Sequence, residues 1–258
     1  MRLRLTFIRE EERISLPIHH NEILQGIVYN HLDPQLAEQI HTRGIKDPES
    51  HRGLKLFTFS RLLSAKKPIL EREKKKITFS FPLTWIVASP IKEFIISLYN
   101  NLIRHQTIYI PSTDSSKKQV LQINHIWLTP SPVFKQPVLV ETLSPITVYR
   151  TVEKNGKPLT YYFSPLEPEF NELILLNLQR KYRTLTGKNI PIDNAYIKPV
   201  KVANRENIIY FKNTIIKGWS GIFEISLPEE LFPIAFSCGL GAKNSQGFGC
   251  IGIWRGRL

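Results

Sequence analysis

The residues that most directly suggest chemistry are four glycines in the segment 239–249 (GLGAKNSQGFG). The segment holds two identical units of glycine, an apolar residue and glycine, Gly239 to Gly241 and Gly247 to Gly249, with five residues between them. Ordering a glycine costs conformational entropy, so such a cluster indicates positive φ angles or the close approach of another backbone, often a phosphate. A plain turn between packed strands is the alternative.

The spacing of these glycines differs from the two common nucleotide-binding patterns. The segment has no Gly-Lys-Ser/Thr ending and no Gly-x-Gly-x-x-Gly spacing. It also follows the last predicted helix, whereas the dinucleotide pattern opens a βαβ unit. The pattern therefore disfavours ATP or NAD, and we expect no cofactor.

The cysteines and histidines give little support to metal or disulfide chemistry. Only Cys238 and Cys250 occur, both beside the glycine segment, and the sequence has neither Cys-x-x-Cys nor His-Glu-x-x-His spacing. Two cysteines cannot form a disulfide framework. We therefore expect two reduced, packed thiols in a cytoplasmic protein, and no metal site.

The charge balance indicates a polyanionic partner. The 258 residues include 35 Lys and Arg against 22 Asp and Glu, a net charge of +13. This imbalance favours nucleic acid first and an anionic membrane surface second, and a merely basic soluble protein is the remaining possibility. No apolar run approaches the roughly 18 residues that span a bilayer, and 1–7 alternates like a strand rather than a signal peptide. We therefore expect no membrane partner.

The elements that must position these residues alternate between strands and helices. In the first half, the pattern predicts a strand at 1–8, a helix at 21–32, a short helix from Pro34, strands at 55–60 and 77–87, a helix from 90 to 104 and a strand at 119–128. Asn21 is expected to cap the first helix, and Asp33 the second. The order is βαββαβ, a ferredoxin-like unit.

The second half repeats this order after a proline-rich link at 130–137. The pattern predicts strands at 138–150, 196–204, 206–216, 218–227 and 248–254, with helices at 167–184 and 228–237. We therefore predict an α+β fold of two tandem ferredoxin-like, RRM-like domains, at 1–130 and 137–258. The glycine segment belongs to the second.

The order of elements and the glycine segment together carry a family resemblance. A basic, cysteine-poor tandem ferredoxin-like chain with Gly-x-Gly-x5-Gly-x-Gly near its end resembles the CRISPR-associated repeat-RNA endoribonucleases of the RAMP superfamily. Segments 24–30 (LQGIVYN) and 55–60 (KLFTFS) also resemble that family, so the likeness covers essentially the whole chain. It implies metal-independent cutting of precursor RNA within each CRISPR repeat. The ribose 2′-hydroxyl attacks the adjacent phosphate and leaves 2′,3′-cyclic phosphate and 5′-hydroxyl ends.

The same resemblance implies a catalytic set of Tyr29, His41 and Lys55. The reaction needs a base for the 2′-hydroxyl, an acid for the 5′-oxygen and positive charge for the phosphorane. Histidine can exchange a proton near neutral pH, so we expect His41 to be the general acid. Lys55 supplies the charge. Tyr29, with an ordinary pKa of about 10, acts as base only with help, or orients the nucleophile.

Other histidines compete with His41 for the catalytic role. His51 lies in the long stretch between His41 and Lys55 and is the main rival. Weaker candidates are His19, His20 and His31, and we expect structural roles for His105 and His125. For the implied set the alternatives are a helix-dipole partner at His41, a core aromatic at Tyr29 and a solvated lysine at Lys55.

RNA binding is expected to use phosphate contacts and stacking on aromatic rings. The candidate contacts are Arg43, Lys198, Lys201, Lys243 and Asn244, with Arg205, Lys212 and Lys217 as further basic residues of the region 196–217. Alternation along strands sends about half of these side chains to each face. The glycine segment is expected to hold RNA across the face between the two halves.

Two further readings of function stay open at this point. A non-catalytic relative that packages guide RNA in a CRISPR effector complex shares the fold and the glycine segment, but does not require the set of Tyr29, His41 and Lys55. A ribosome-like structural RNA binder explains the charge but not the glycine segment. The expected partners are CRISPR repeat RNA, an effector complex and a second copy of the chain.

Overall fold

The structure of the chain, a computed structural model, describes residues 1–50, 53–111, 118–132, 135–154 and 156–256. Its helices are α1 (Asn21–Asn30), α2 (Pro34–Glu38), α3 (Lys92–His105), α4 (Pro168–Thr186) and α5 (Leu231–Cys238), with a π-helical turn at Gln39–Arg43 and a 3-10 turn at Asn244–Gln246.

The strands divide between the two halves of the chain. The first half contains β1 (Arg2–Ile8), β2 (Arg13–Pro17), β3 (Ile45–Lys46), β4 (Gly53–Leu54), β5 (Thr58–Phe59), β6 (Leu63–Ser64), β7 (Ile69–Glu71), β8 (Lys76–Ser80), β9 (Leu83–Ala88), β10 (Thr107–Pro111) and β11 (Lys118–Thr129). The second half contains β12 (Val138–Thr142), β13 (Tyr149–Lys154), β14 (Lys157–Tyr162), β15 (Tyr196–Val202), β16 (Asn207–Phe211), β17 (Thr214–Gly218), β18 (Gly221–Ser226) and β19 (Ile251–Ile253).

Each half is built on one antiparallel sheet with a ferredoxin-like strand order. In the first half the order is β10-β11-β1-β9-β5, and β6 also pairs with β9. The fourth, first, third and second strands of the βαββαβ unit therefore lie side by side. The second half shows the same arrangement as β15-β18-β12-β19. The tandem ferredoxin-like α+β fold predicted from the sequence is confirmed.

Alternating side chains bury one face of each sheet under its helices. Leu3, Leu5 and Phe7 of β1 are at most 1% exposed, because every second residue of a strand points to the same face. They pack with Leu24 and Val28 of α1 in the first core. The second core, under α4 and α5, also takes in Leu56 from the first half of the chain. The two halves therefore share buried contacts.

Four local predictions differ from the structure. The strand predicted at 138–150 is broken, because β12 ends at Thr142 and β13 begins at Tyr149. The strand predicted at 206–216 is a hairpin, because Lys212 and Asn213 take φ angles of 44° and 62° and turn the chain between β16 and β17. The strand predicted at 77–87 is interrupted between β8 and β9. The predicted cap at Asn21 is wrong. His20 occupies the cap position without a side-chain hydrogen bond, and Asn21 lies inside α1.

The second helix begins as its sequence predicts. Asp33 accepts hydrogen bonds from the backbone N–H groups of Gln35 and Leu36 at 3.0 and 3.3 Å, and Pro34 takes the first helical position. The helix then passes into the π-helical turn that carries His41. None of the helices in the described ranges is long and apolar enough to cross a bilayer.

Candidate active site

The structure brings Tyr29, His41 and Lys55 together at one surface. The ring centroids of Tyr29 and His41 lie 5.1 Å apart with their planes at 86°, an edge-to-face contact. The Lys55 Nζ atom lies 5.9 Å from the centroid of the Tyr29 ring. The three side chains come from the end of α1, the π-helical turn and the segment before β5, so only the tertiary fold makes them neighbours.

The side chains around this cluster hold the tyrosine ring in place. Phe57 meets the Tyr29 ring edge-on at a centroid distance of 5.8 Å and stacks on Phe94 at 5.0 Å. Both phenylalanines are at most 1% exposed. His41, by contrast, is exposed. The cluster therefore has a packed base, with the imidazole at its solvent side.

Burial changes the acidity of two members of the cluster. It raises the pKa of Tyr29 to about 12, and the Tyr29 hydroxyl has no hydrogen-bond partner among the described residues. Tyr29 is therefore a neutral phenol at physiological pH, able to donate a hydrogen bond but unsuited to act as a base. For Lys55, burial first and the charge of Lys212 second lower the pKa of the ammonium group.

The cluster opens into a cavity of about 530 Å³, which we call the His41 cavity. Tyr29, His41 and Lys212 line it, together with Gln25, the carboxylates of Glu22 and Glu38, and the residues Gly26, Asn30, Ala37 and Thr42. The sequence identified Lys212 as a basic residue of a candidate groove but did not place it beside the catalytic set. The signal available was Asn213 between two apolar strands, because asparagine tolerates the positive φ angles of a tight turn.

The segment that follows His41 is anchored to the second half of the chain. Asp47 is fully buried, and its carboxylate accepts hydrogen bonds from Nε and Nη2 of Arg183 on α4 at 2.9 and 3.0 Å. These bonds hold the pKa of Asp47 far below its usual range. Arg183 also forms an ion pair with Glu49 at 2.6 Å. This anchor holds the chain around Asp47 and Glu49 against α4.

The glycine segment is a buried connection between the two halves. Its four glycines have φ angles between 67° and 84°, and a Cβ atom at Gly247 would lie 2.4 Å from Cε2 of Phe59 in the first half. A Cβ atom at Gly249 would lie 1.9 Å from the carbonyl oxygen of Leu240. The glycines are thus required by positive φ angles and close protein contacts.

Side chains of the first half hold this segment from the other side. The amide of Asn21 donates to the carbonyl oxygens of Gln246 and Gly247 at 2.8 and 3.3 Å. Gln25 donates to the carbonyl oxygen of Ser245 at 2.6 Å, and the Thr58 hydroxyl donates to that of Phe248 at 2.9 Å. The glycine segment therefore fixes α1, the helix that ends in Tyr29.

A buried lysine holds the centre of the segment. Lys181 of α4 is 4% exposed, and its Nζ donates to the carbonyl oxygens of Gly239 and Gly241 and to Oδ1 of Asn244 at 2.7, 3.2 and 2.7 Å. Burial lowers the pKa of Lys181 to about 8. The amide of Asn244 donates to the carbonyl oxygens of Leu240 and Phe248 at 2.9 and 3.0 Å.

This arrangement corrects the role predicted for Asn244. Its side chain is buried and bonded within the segment, so it shapes the loop rather than facing RNA. The segment as a whole is also less accessible than predicted, because only residues 242, 243, 245 and 246 of it are partly exposed. Lys243 is the basic residue it leaves at the surface.

The other predicted RNA contacts lie in separate places. The Lys243 ammonium lies 5.1 Å from the centroid of the Tyr149 ring. Lys198 and Lys201 are exposed on β15, and neither lines the His41 cavity. Arg43 is exposed at the end of the π-helical turn, two residues beyond His41.

The remaining histidines lie away from the His41 cavity. His31 contacts the Ile27 carbonyl oxygen at 2.8 Å, His31 and His105 contact each other at 6.4 Å, and His125 stacks on Trp127 at 5.1 Å. His51 lies outside the described residues.

The described residues also show no metal site. In the part of the chain that the structure describes, no group of three or more His, Cys, Asp or Glu side chains is arranged to hold a metal ion. Cys238 and Cys250 are free and buried, and burial raises the pKa of both to about 11.

Comparison with known proteins finds similarity to one family. Residues 128–253 match the family model "CRISPR associated protein Cas6, C-terminal". CRISPR-associated endoribonuclease Cas6 of Pyrococcus furiosus is 26% identical over 262 residues, covering 97% of this chain and 88% of that protein. CRISPR-associated endoribonuclease Cas6 1 of Methanocaldococcus jannaschii is 24% identical over 258 residues, covering 95% of this chain and 93% of that protein.

Solved structures show the same fold over the full length of the chain. A Cas6-related protein from Pyrococcus furiosus superposes with a TM-score of 0.83 at 19% identity, covering 100% of this chain and 99% of that one. A RAMP protein described as binding different RNA substrates gives a TM-score of 0.78 at 16% identity, covering 99% and 100%. The second half of the chain thus matches a Cas6 family model, and the whole chain is similar to proteins named Cas6 endoribonucleases. The resemblance to the CRISPR-associated endoribonucleases seen in the sequence is confirmed.

Proposed function

We propose that the chain is an endoribonuclease that cuts CRISPR precursor RNA within its repeats, without metal, through attack by the ribose 2′-hydroxyl. The observation that carries this function is the meeting of Tyr29 and His41 at one open cavity, with the Lys55 ammonium group 5.9 Å from the centroid of the Tyr29 ring. The relatives named as Cas6 endoribonucleases, which align over nearly the whole chain, support the substrate class. The net charge of +13 suits a polyanionic substrate.

Each of the three side chains has a distinct task in the proposed reaction. As the 2′-oxygen bonds to phosphorus, the bond to the 5′-oxygen breaks and His41 gives that oxygen its proton. Water in the open cavity takes the proton of the 2′-hydroxyl. Lys55, with Lys212 beside it, stabilises the negative charge that develops on the phosphorane. The neutral Tyr29 ring packs edge-to-face against His41 and holds the imidazole in position.

The test is incubation with a CRISPR repeat transcript of the source organism in excess EDTA, followed by analysis of the RNA ends. We expect cleavage with 2′,3′-cyclic phosphate and 5′-hydroxyl ends. RNA binding without any cut would instead favour a non-catalytic RNA-binding subunit. Cleavage that occurs only when a divalent ion is added would overturn the metal-independent route.

Matched substitutions show whether His41 or His51 is the general acid. We expect H41A to lose cleavage and keep RNA binding, with H51A and H125A cleaving like the wild type. Full activity in H41A together with loss in H51A would assign the acid to His51. Association with an effector complex and with a second copy stay predictions, which size-exclusion chromatography with light scattering can test for the second copy.

A further inference from the structure

A second cavity, of about 770 Å³, lies at the opposite end of α1 from Tyr29, and we call it the Tyr210 cavity. It is lined by three arginines, Arg61, Arg72 and Arg205, and by the rings of His19 and Tyr210. His20, Asn21, Glu206 and residues of β8 and β16 complete the wall. The proposed cleavage reaction does not use this cavity.

The lining of the Tyr210 cavity carries more positive than negative charge, with three arginines against one carboxylate, Glu206. Among the described residues, Arg61, Arg72 and Arg205 have no ion-pair partner. Arg61 is partly buried, and the only hydrogen-bond partner of its guanidinium group in that set is Oδ1 of Asn207 at 3.1 Å. Glu206 in the wall is paired with Lys217 at 3.0 Å. Burying a guanidinium without a counter-charge is costly, so the cavity favours an anionic ligand.

The aromatic side of the cavity offers a fixed, exposed ring. Tyr210 is 50% exposed, and its ring centroid lies 4.8 Å from that of His19. The Tyr210 backbone N–H donates to Nδ1 of His19 at 3.3 Å, which holds the imidazole in one orientation. Exposed rings beside arginines are the usual platform on which proteins stack unpaired nucleobases.

A buried acceptor lies in the same wall. His20 is 5% exposed, and its Nδ1 lies 3.1 Å from the Pro17 carbonyl oxygen. A carbonyl can only accept, so Nδ1 carries the proton and Nε2 is an acceptor. Nε2 has no partner among the residues that the structure describes.

Two elements connect the Tyr210 cavity with the His41 cavity. Helix α1 follows His20 directly and carries Tyr29 near its far end, about 13.5 Å from His20 for a rise of 1.5 Å per residue. Strand β16 carries Tyr210, and the turn after it carries Lys212, which lines the His41 cavity. A single RNA strand that follows α1 and β16 would reach both cavities.

We propose that the Tyr210 cavity binds one unpaired nucleotide of the substrate RNA, a few nucleotides from the cut. The base stacks on the ring of Tyr210, and the phosphates on either side of it meet Arg61, Arg72 and Arg205. That the bound RNA is the substrate rests on the function proposed above. That the site suits an unpaired nucleotide rests only on its own side chains, an aromatic ring beside three arginines.

The first experiment measures the Kd for repeat RNA in the cleavage-deficient H41A background, so that binding is separated from catalysis. We expect Y210A to weaken binding at least about fivefold, because stacking contributes roughly 1–3 kcal/mol per base, and Y210F to bind like its parent. R72Q should weaken binding and flatten its salt dependence. The matched controls Y109A and R104Q, which change exposed residues outside both cavities, should leave the Kd unchanged.

The second experiment locates the nucleotide directly. Repeat RNA substituted with 4-thiouridine is irradiated with the protein, and the crosslinked peptides are identified by mass spectrometry. We expect crosslinks within 205–210, lost when unlabelled RNA competes but not when UMP or AMP competes. An unchanged Kd in Y210A, an equal loss in Y109A, or a cavity that binds UMP while RNA crosslinks elsewhere would overturn the site. Absence of cleavage by the wild type, with these binding effects present, would overturn only the proposed activity.

Discussion

The glycine segment and the His41 cavity differ both in their sequence pattern and in their role in the structure. The glycine segment has the stronger sequence pattern, yet it is mostly buried and holds α1, α4 and β5 against each other. The His41 cavity is formed by single residues with no local pattern, and it is open to solvent. The pattern of glycines thus reflects the positive φ angles and close contacts of the backbone. The side chains suited to catalysis, by contrast, become neighbours only when the chain folds.

The sharpest contrast between the two regions comes from removing the imidazole of His41. H41A should lower the cleavage rate about 10²- to 10⁴-fold, the usual contribution of a general acid. The melting temperature should stay within about 2 °C of the wild type, because His41 is exposed. Single-turnover cleavage and calorimetry measure the two effects. A large drop in melting temperature would show that His41 is structural.

The reverse effect is expected from a methyl group in the glycine segment. G249A should destabilise the fold by about 2–3 kcal/mol or more, because its Cβ would meet the Leu240 carbonyl oxygen at 1.9 Å in addition to the strain of a φ of 72°. The matched control is G156A, where φ is 71° but nothing lies within 4 Å of the added Cβ. Equal urea-unfolding curves for the two variants would contradict the close contact.

A smaller loss of stability and of cleavage rate is expected from Q25A, because Gln25 lines the His41 cavity and also bonds to the glycine segment. The substitution removes the hydrogen bond to the Ser245 carbonyl oxygen and should cost about 1–3 kcal/mol of unfolding free energy. Cleavage should also slow, because Gln25 helps to fix the helix that carries Tyr29. The control Q35A removes an exposed glutamine of α2 and should change neither property. Slow cleavage with unchanged stability would point to contact with RNA rather than to helix position.

The smallest effect is a pH dependence of stability that belongs to Lys181. Its pKa is about 8 in the folded chain, against the ordinary value of 10.5, so the unfolded chain binds more protons between those two values. Burying the charged form of Lys181 destabilises the fold below this window. The free energy of unfolding therefore rises as pH increases from 8 to 10.5, and falls again as pH decreases. Relative to K181M, the wild type should gain up to about 1 kcal/mol per pH unit from pH 8 to 10.5.

Urea unfolding of both chains across this pH range measures the difference. Taking the difference also cancels most of the titration of Cys238 and Cys250, whose raised pKa values act with the opposite sign. Parallel curves for wild type and K181M would show that Lys181 stays charged in the fold. A wild type that loses stability relative to K181M as pH rises would contradict the buried site.

The order of strands and helices was predictable because it depends on local periodicity. Asp33 and Pro34 start α2 as predicted, since a cap needs only neighbouring backbone groups. The hairpin turn at Lys212 and Asn213 was missed, because β-propensity on both sides concealed two residues with positive φ. Lys181 could have been found, since it lies three and seven residues after Leu178 and Ile174 on the apolar face of its helix. The proximity of Tyr29, His41 and Lys55 could not be predicted from their spacing in the sequence, because it depends on the tertiary fold. That prediction came from the family resemblance.

The partners of α1 in the glycine segment lie 220 to 226 residues further along the chain than Asn21 and Gln25. At 5–20 residues per second, a ribosome needs roughly 10 to 45 s to make that stretch. During this time the first half can form its sheet, but the amides of α1 still lack their acceptors. The nascent chain therefore acquires a fixed Tyr29 only when translation has passed the glycine segment, which delays nuclease activity until the second half is complete.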